Sequence, residues 1–291
     1  MLFAGDSLIH FNQNRIGVEY YRMLATTDNT TTYDGDAILQ PTLGLCNGKI
    51  EFVGESGSNI NNRYQIANSL NIMMTGNRPN TTSPTNTAQN PFYNPNSNQP
   101  NELDADGFNK RVDFKWYFEK ICGIGQYPNL IYLTTGVNDI YYGGWTFDLI
   151  EPTVERLHKV LSRMKAACDE IAGGESNVVI KLMNHQFYPL RSGSNIFNFD
   201  VVKQRRLWLD LYNGYYDLIT NPSNQLTFAE LIDCASKFDW EYGYSTQTLP
   251  VNNRNRLTEK TVLEPVHISV NGALQYADCL INDFLCDERF D

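Results

Sequence analysis

Leu2-Phe3-Ala4 is a short apolar run that stops at Gly5-Asp6-Ser7-Leu8 and gives way to a polar turn at Asn12-Gln13-Asn14. Such a run predicts a buried strand that carries Ser7 to its C-terminal tip. In an open α/β sheet, ligands bind at that end of the strands. A serine there acts as a nucleophile when a base takes its proton, an acid orients the base and hydrogen-bond donors face the oxyanion. Small and polar residues also close other apolar runs. Glu55-Ser56-Gly57-Ser58-Asn59 follows residues 49–54, Gly136-Val137-Asn138-Asp139 follows 129–135, and Asn184-His185-Gln186 follows 177–183. Late in the chain, Glu264-Pro265-Val266-His267 precedes a final apolar stretch.

The elements that must position these residues follow from periodicity. Four strands are predicted, at 2–4, 49–54, 129–135 and 177–183. The clearest helix spans 153–171, with Val154, Leu157, Leu161, Met164, Cys168 and Ile171 on one face and Gly173-Gly174 as its stop. A second long helix spans 200–219, with Val201, Arg205, Trp208, Leu211, Tyr212, Tyr215, Leu218 and Ile219 inward. Shorter helices are predicted at 17–24, 61–73, 114–121 and 269–284. Residues 38–45 are ambiguous, 227–238 read as a short helix or turn, and 243–261 read as polar and irregular. Strands alternating with helices predict one mostly parallel sheet covered on both faces. Residues 75–107 are rich in Asn, Pro and Thr. They read as a polar insertion loop within a single 1–291 domain, because the sheet pattern resumes afterwards. Phe92 and Tyr93 stand alone in it, as ligand contacts or as anchors packing the loop onto the body.

Composition narrows the class. The 291 residues suffice for a sizeable core, and 42% hydrophobic with 19% charged residues is ordinary for a globular chain. A net charge of −10 with no Lys/Arg cluster excludes a phosphate backbone as the expected partner, so no nucleic acid is expected. No apolar stretch is long enough for a membrane span. The six cysteines, including Cys46, are widely spaced and predict mostly free thiols, hence synthesis in a reducing compartment. Cys168 and Cys279 fall in apolar helical patterns, as small core residues. No signal peptide precedes the first strand. Either the chain begins at that strand or a leader or neighbouring domain stands before it.

Taken together, FAGDSL at 3–8, GESGSN at 54–59, GVND at 136–139 and EPVHISVNG at 264–272 resemble the SGNH hydrolase superfamily, the GDSL esterases and lipases. Each block alone is weak. All four in the family's order, each at a strand end or loop, cover nearly the whole chain. The resemblance implies a flavodoxin-like three-layer α/β/α sandwich with a mostly parallel central sheet. It implies Ser7 as nucleophile and His267 as the base. The Ser7 and Gly57 N–H groups and the Asn138 side-chain amide would form the oxyanion hole. Glycine lets backbone approach the oxyanion closely, and an amide is a neutral donor. The family places Asp three residues before the His; here Glu264 stands there, one methylene longer. Glu264 is the expected orienting acid, with a backbone carbonyl or another acid as the alternative. The implied reaction is hydrolysis of a small-acyl ester, acetyl first, with no metal or organic cofactor. Polar loops dotted with aromatic rings suit a carbohydrate carrying the ester. The alternative is a carbohydrate-binding module of a phage tail or surface assembly on the same fold, acting outside the cell.

Read residue by residue, plainer roles stand beside these. Ser7, Gly57 and Asn138 are all common turn residues. Asp6 and Asp139 read as structural, Asp139 as a cap for the residues after it. His158 lies at the edge of an apolar stripe and reads as structural. His10 and His185 fall just beyond strand ends and are candidate substrate contacts, with His185 the rival base. No His/Cys/Asp spacing supports a metal site. Tyr141 and Trp145 follow the GVND block as stacking surfaces for a sugar or as anchors of their own loop.

Overall fold

The computed structural model describes residues 2–5, 51–53, 70–75, 90, 92–142, 146–184, 201–244, 246–250, 258–262 and 269–290. The predicted helix at 17–24, the segment 38–45 and Cys46 lie outside them. Five strands form one sheet: β1 (Leu2–Gly5), β2 (Glu51–Val53), β3 (Leu130–Thr134), β4 (Val179–Met183) and β5 (Ala229–Ile232). Every pairing is parallel and the order is β2-β1-β3-β4-β5. That is the flavodoxin-like order, so the expected α/β sandwich is the architecture found. β3 and β4 are buried at every residue, as parallel strands covered on both faces must be.

The helices are α1 (Leu70–Thr75), α2 (Phe114–Cys122), α3 (Val137–Tyr142), α4 (Ile150–Ala172), α5 (Val201–Thr220), α6 (Trp240–Gly243) and α7 (Val270–Leu285). The pleat assigns them to faces. Ile131, Leu133, Ile180 and Leu182 join one core with side chains of α1, α2, α4 and α5. Tyr132 and Lys181, adjacent across β3 and β4, turn the other way. Tyr132 Oη donates to the Leu280 carbonyl, and Lys181 Nζ reaches Asp283, so α7 covers the second face. Helix ends follow local chemistry. Asp113 accepts from the Trp116 N–H at the start of α2 and Ser269 from the Gly272 N–H at the start of α7. Gly173, at φ 71°, closes α4. Val154 of α4 and Gly214 of α5 touch so closely that a Cβ on Gly214 would lie 2.7 Å from Val154 Cγ2.

Lys181 is 1% exposed in the middle of a central strand. A buried ammonium must be paired. Its partners are Asp283 at 2.5 Å, Asp287 at 2.7 Å and Glu230 at 3.9 Å, and Arg289 joins Asp287 and Glu230. This network ties the residues after α7 to the sheet.

Several expectations are corrected. Residues 227–238, expected as a short helix or turn, hold β5 followed by a single 3-10 turn at Ala235–Lys237. Only Ala229 and Ile232 of β5 are buried, and Glu230 serves the Lys181 network, so the sequence lacks a strand's apolar run. Most of the described residues between 243 and 262 are regular rather than irregular. They hold β6 (Thr246–Pro250) and β7 (Thr258–Val262), paired antiparallel as a separate two-stranded sheet. On α5, Gln204 and Leu207 are buried while Arg205 is only half-buried. Phe92 packs into the core, with ring centroids 4.5 Å from Phe114 and 4.9 Å from Tyr117. Nearby, the Asn90 side chain donates to the Met73 carbonyl at 2.8 Å. Tyr93 is half-buried and accepts from Arg111 at 3.3 Å. The five described cysteines are free thiols, four of them buried.

Candidate active site

Parallel pairing sends the C-terminal ends of all five strands to one edge of the sheet. β1 sits between β2 and β3, with Ala4 level with Val53 and Leu133, and Gly5 level with Thr134. The chain enters β2 on one side of β1 and β3 on the other, so the order reverses at β1 and β3. Ligands bind in the crevice that such a reversal opens at the strand ends. Ser7, Gly57, Glu264 and His267 lie outside the described residues, as do His10, Trp145 and His185. Among the expected catalytic, oxyanion-hole and substrate-contact residues, Asn138 and Tyr141 are described. Both lie on α3, the short helix that leaves β3.

Gly136 makes that turn possible. Its φ is 97°, a region that favours glycine. A Cβ there would fall on the Tyr215 hydroxyl, with Tyr215 Cζ at 3.0 Å and Thr153 Cγ2 at 3.2 Å. Tyr215 Oη donates to the Thr135 carbonyl at 3.1 Å, pinning α5 to the end of β3. Half-buried Asn138 follows two residues later.

Asp139 is buried and structural. Its Oδ2 accepts the Leu70 N–H of α1 at 2.8 Å, and its Oδ1 lies 3.5 Å from the Arg156 guanidinium of α4. One buried carboxylate therefore links α1, α3 and α4 beside Asn138.

Sequence reasoning missed a cavity of about 210 Å³ at the same edge, between α5 and the ends of β3, β4 and β5. Thr135 and Val137 form its wall on the Asn138 side; Met183, Trp208, Leu211 and Tyr215 make it mostly apolar. The Thr135 hydroxyl is buried and has no hydrogen-bond partner among the described residues. At the opposite end, Asn184 donates to Asp233 at 2.5 Å and accepts the Ala235 N–H at 2.8 Å. Burial works to raise the Asp233 pKa, but hydrogen bonds from Asn184 and Ser236 hold it below the usual carboxylate value. Burial, aided by the Asp233 charge, pushes the nearby Tyr212 phenol up. The inward stripe of α5 was the available signal for this cavity, but periodicity does not distinguish a packed face from one lining a void. His158, half-buried on α4, sits away from this edge beside Phe108 and Arg163.

Among the described residues no group of His, Cys, Asp or Glu could hold a metal ion. Among them too, no helix is long and apolar enough to cross a membrane.

No protein-family model matches the chain, and no curated protein matches it. Three solved structures resemble it. The native aryl esterase of M. smegmatis is 12% identical over 98% of this chain and 97% of its own, with a TM-score of 0.47. Est24, a carbohydrate acetylesterase from Sinorhizobium meliloti, is 11% identical over 98% and 97%, with a TM-score of 0.45. A carbohydrate acetylesterase family member from Sinorhizobium meliloti is 14% identical over 97% and 95%, with a TM-score of 0.48. Likenesses of this degree assign neither a reaction nor a substrate.

Proposed function

We propose that the protein is a serine ester hydrolase acting on a short acyl group carried by a carbohydrate. One observation carries the reading. β2, β1 and β3 are adjacent and parallel, with the serine-bearing strand in the middle. The blocks holding Gly57, Ser7 and Asn138 each follow one of these strands within a few residues. Ser7 is two residues past Gly5, which bounds its Cα to about 7–8 Å from that of Gly5. This adjacency supports assigning three chemistries scattered over the first half of the sequence to one sheet edge.

In this reading Ser7 Oγ attacks the ester carbonyl carbon while His267 takes the Oγ proton. Negative charge gathers on the carbonyl oxygen, where the Ser7 and Gly57 N–H groups and the Asn138 amide donate to it. The bond to the alcohol oxygen breaks, and His267 returns the proton to that oxygen. Water then attacks the acyl-serine, giving its proton to His267, which passes it to Ser7 Oγ as the bond from Oγ to the acyl carbon breaks and the acid leaves. Glu264 holds the imidazole in the required tautomer.

The test is hydrolysis of para-nitrophenyl acetate, hexanoate and decanoate. Ser7→Ala is expected to abolish turnover, and Asn138→Ala to lower kcat by on the order of 10²–10³. Activity that survives Ser7→Ala overturns the assignment, and preference for decanoate over hexanoate overturns the short-acyl part. Folded protein that binds a glycan yet takes no label from a fluorophosphonate points instead to a binding module.

A further inference from the structure

We propose that the cavity beside Asn138 is the acyl pocket of this site and accepts hydrocarbon acyl groups of about four to six carbons as well as acetyl. The inference rests on the serine-esterase reading. Its first support is position. Thr135 and Val137 flank Gly136 and form the cavity wall, and Asn138, the proposed oxyanion donor, is the next residue of the same turn. An acyl carbonyl held at Asn138 has its chain beside this opening.

Its second support is size. The cavity is about 210 Å³. A water occupies roughly 30 Å³ of the liquid, and a methyl or methylene group is of similar size. Acetyl has one carbon beyond its carbonyl and would leave most of the space empty. Hexanoyl has five, about 150 Å³ on this scale, and fits. Decanoyl has nine, about 270 Å³, so its last carbons would extend past the cavity into solvent.

Its third support is chemistry. Val137, Met183, Trp208, Leu211 and Tyr215 offer hydrocarbon and ring surface. The polar pair at the far end, Asn184 and Asp233, is occupied with itself and with the Ala235 and Ser236 N–H groups. Such a lining suits an unsubstituted chain better than a hydroxylated sugar ring.

The experiment varies the acyl group with the alcohol fixed as para-nitrophenol. Each buried methylene raises kcat/KM by up to about fourfold. The wild-type protein is expected to prefer hexanoate over acetate at least about tenfold and to gain nothing further by decanoate. Leu211→Trp fills the cavity from inside, and Leu209→Trp narrows it from the half-exposed rim, where folding is undemanding. Either is expected to lower the hexanoate-to-acetate ratio at least tenfold. A wild-type ratio near one, a ratio unchanged in both variants, or an equal fall for both esters overturns the proposal. Activity independent of Ser7 is the separate result that overturns the underlying reading. Binding gives a second measure without turnover. Hexanoate is expected to change tryptophan emission in wild type but not in Trp208→Phe, and no change in wild type counts against the pocket.

Discussion

Gly136→Ala is the sharpest probe of how the candidate site is held. The substitution forces alanine to φ 97°, where an L side chain is strained by about 1–2 kcal/mol. Its Cβ also meets the Tyr215 hydroxyl, which cannot stay in place. Tyr215 is 5% exposed, and moving it breaks the 3.1 Å bond to the Thr135 carbonyl. A buried hydrogen bond lost this way costs about 1–3 kcal/mol. The sum is about 2–5 kcal/mol. At about 2 °C per kcal/mol for a chain of this size, the melting temperature falls roughly 4–10 °C. The logic is tested by the double variant Gly136→Ala/Tyr215→Phe. Removing Oη takes away the clashing atom and leaves Cζ at 3.0 Å and Thr153 Cγ2 at 3.2 Å, close but adjustable. Tyr215→Phe alone is expected to cost about 1 kcal/mol. Urea denaturation of all four proteins gives the coupling, expected to be at least about 1 kcal/mol in favour of the double variant. Additive losses, or a Gly136→Ala penalty below about 1 kcal/mol, would refute the argument that Tyr215 dictates glycine here.

Lys181→Met takes the cation from Asp283 and leaves Asp287 with Arg289 alone, and is expected to destabilise by about 1–3 kcal/mol in chemical denaturation. Hydrogen bonds from Arg289, then Lys181, hold the Asp287 pKa far below its ordinary value against the effect of burial. A depressed folded pKa stabilises above the unfolded value near 4 and ceases to as pH falls through the folded one. Wild type is therefore expected to lose stability below about pH 4 more steeply than Asp287→Asn, measured by thermal melts across pH. Phe92→Ala is expected to cost about 3–5 kcal/mol with KM unchanged, since the ring is fully buried against Phe114 and Tyr117. A raised KM at unchanged stability would return Phe92 to the ligand.

Legibility followed burial. β3 and β4 were readable because strands covered on both faces are continuous apolar runs, and α4 because its stripe keeps a 3.6-residue period over many turns. Even Lys181 did not hide β4, since the residues around it are apolar. β5 was missed because an edge strand of four residues, one of them the glutamate facing Lys181, carries no such run. β6 and β7 were missed because TQTLP and TEKTV are polar with no alternation to follow. At the site, Asn138 was legible as a polar residue just past a strand. Its support was not. Tyr215, Thr153 and Arg156 lie on other elements, and nothing local in the sequence records that they converge on one turn. The cavity was illegible for the same reason: an empty space belongs to several elements at once.

The place of β1 in the sheet also sets a clock on synthesis. Leu2 pairs with Glu51 on one edge and with Ile131 on the other. At about 5–20 residues per second, Ile131 is added roughly 6–26 s after Leu2. Throughout that interval the strand leading to Ser7 has at least one edge with no native neighbour to pair with. Unpaired edges invite pairing with other chains. The segment that brings the serine to the sheet therefore waits longer for its last native neighbour than any other strand described, and shielding it meanwhile is a demand on the nascent chain rather than on the finished fold.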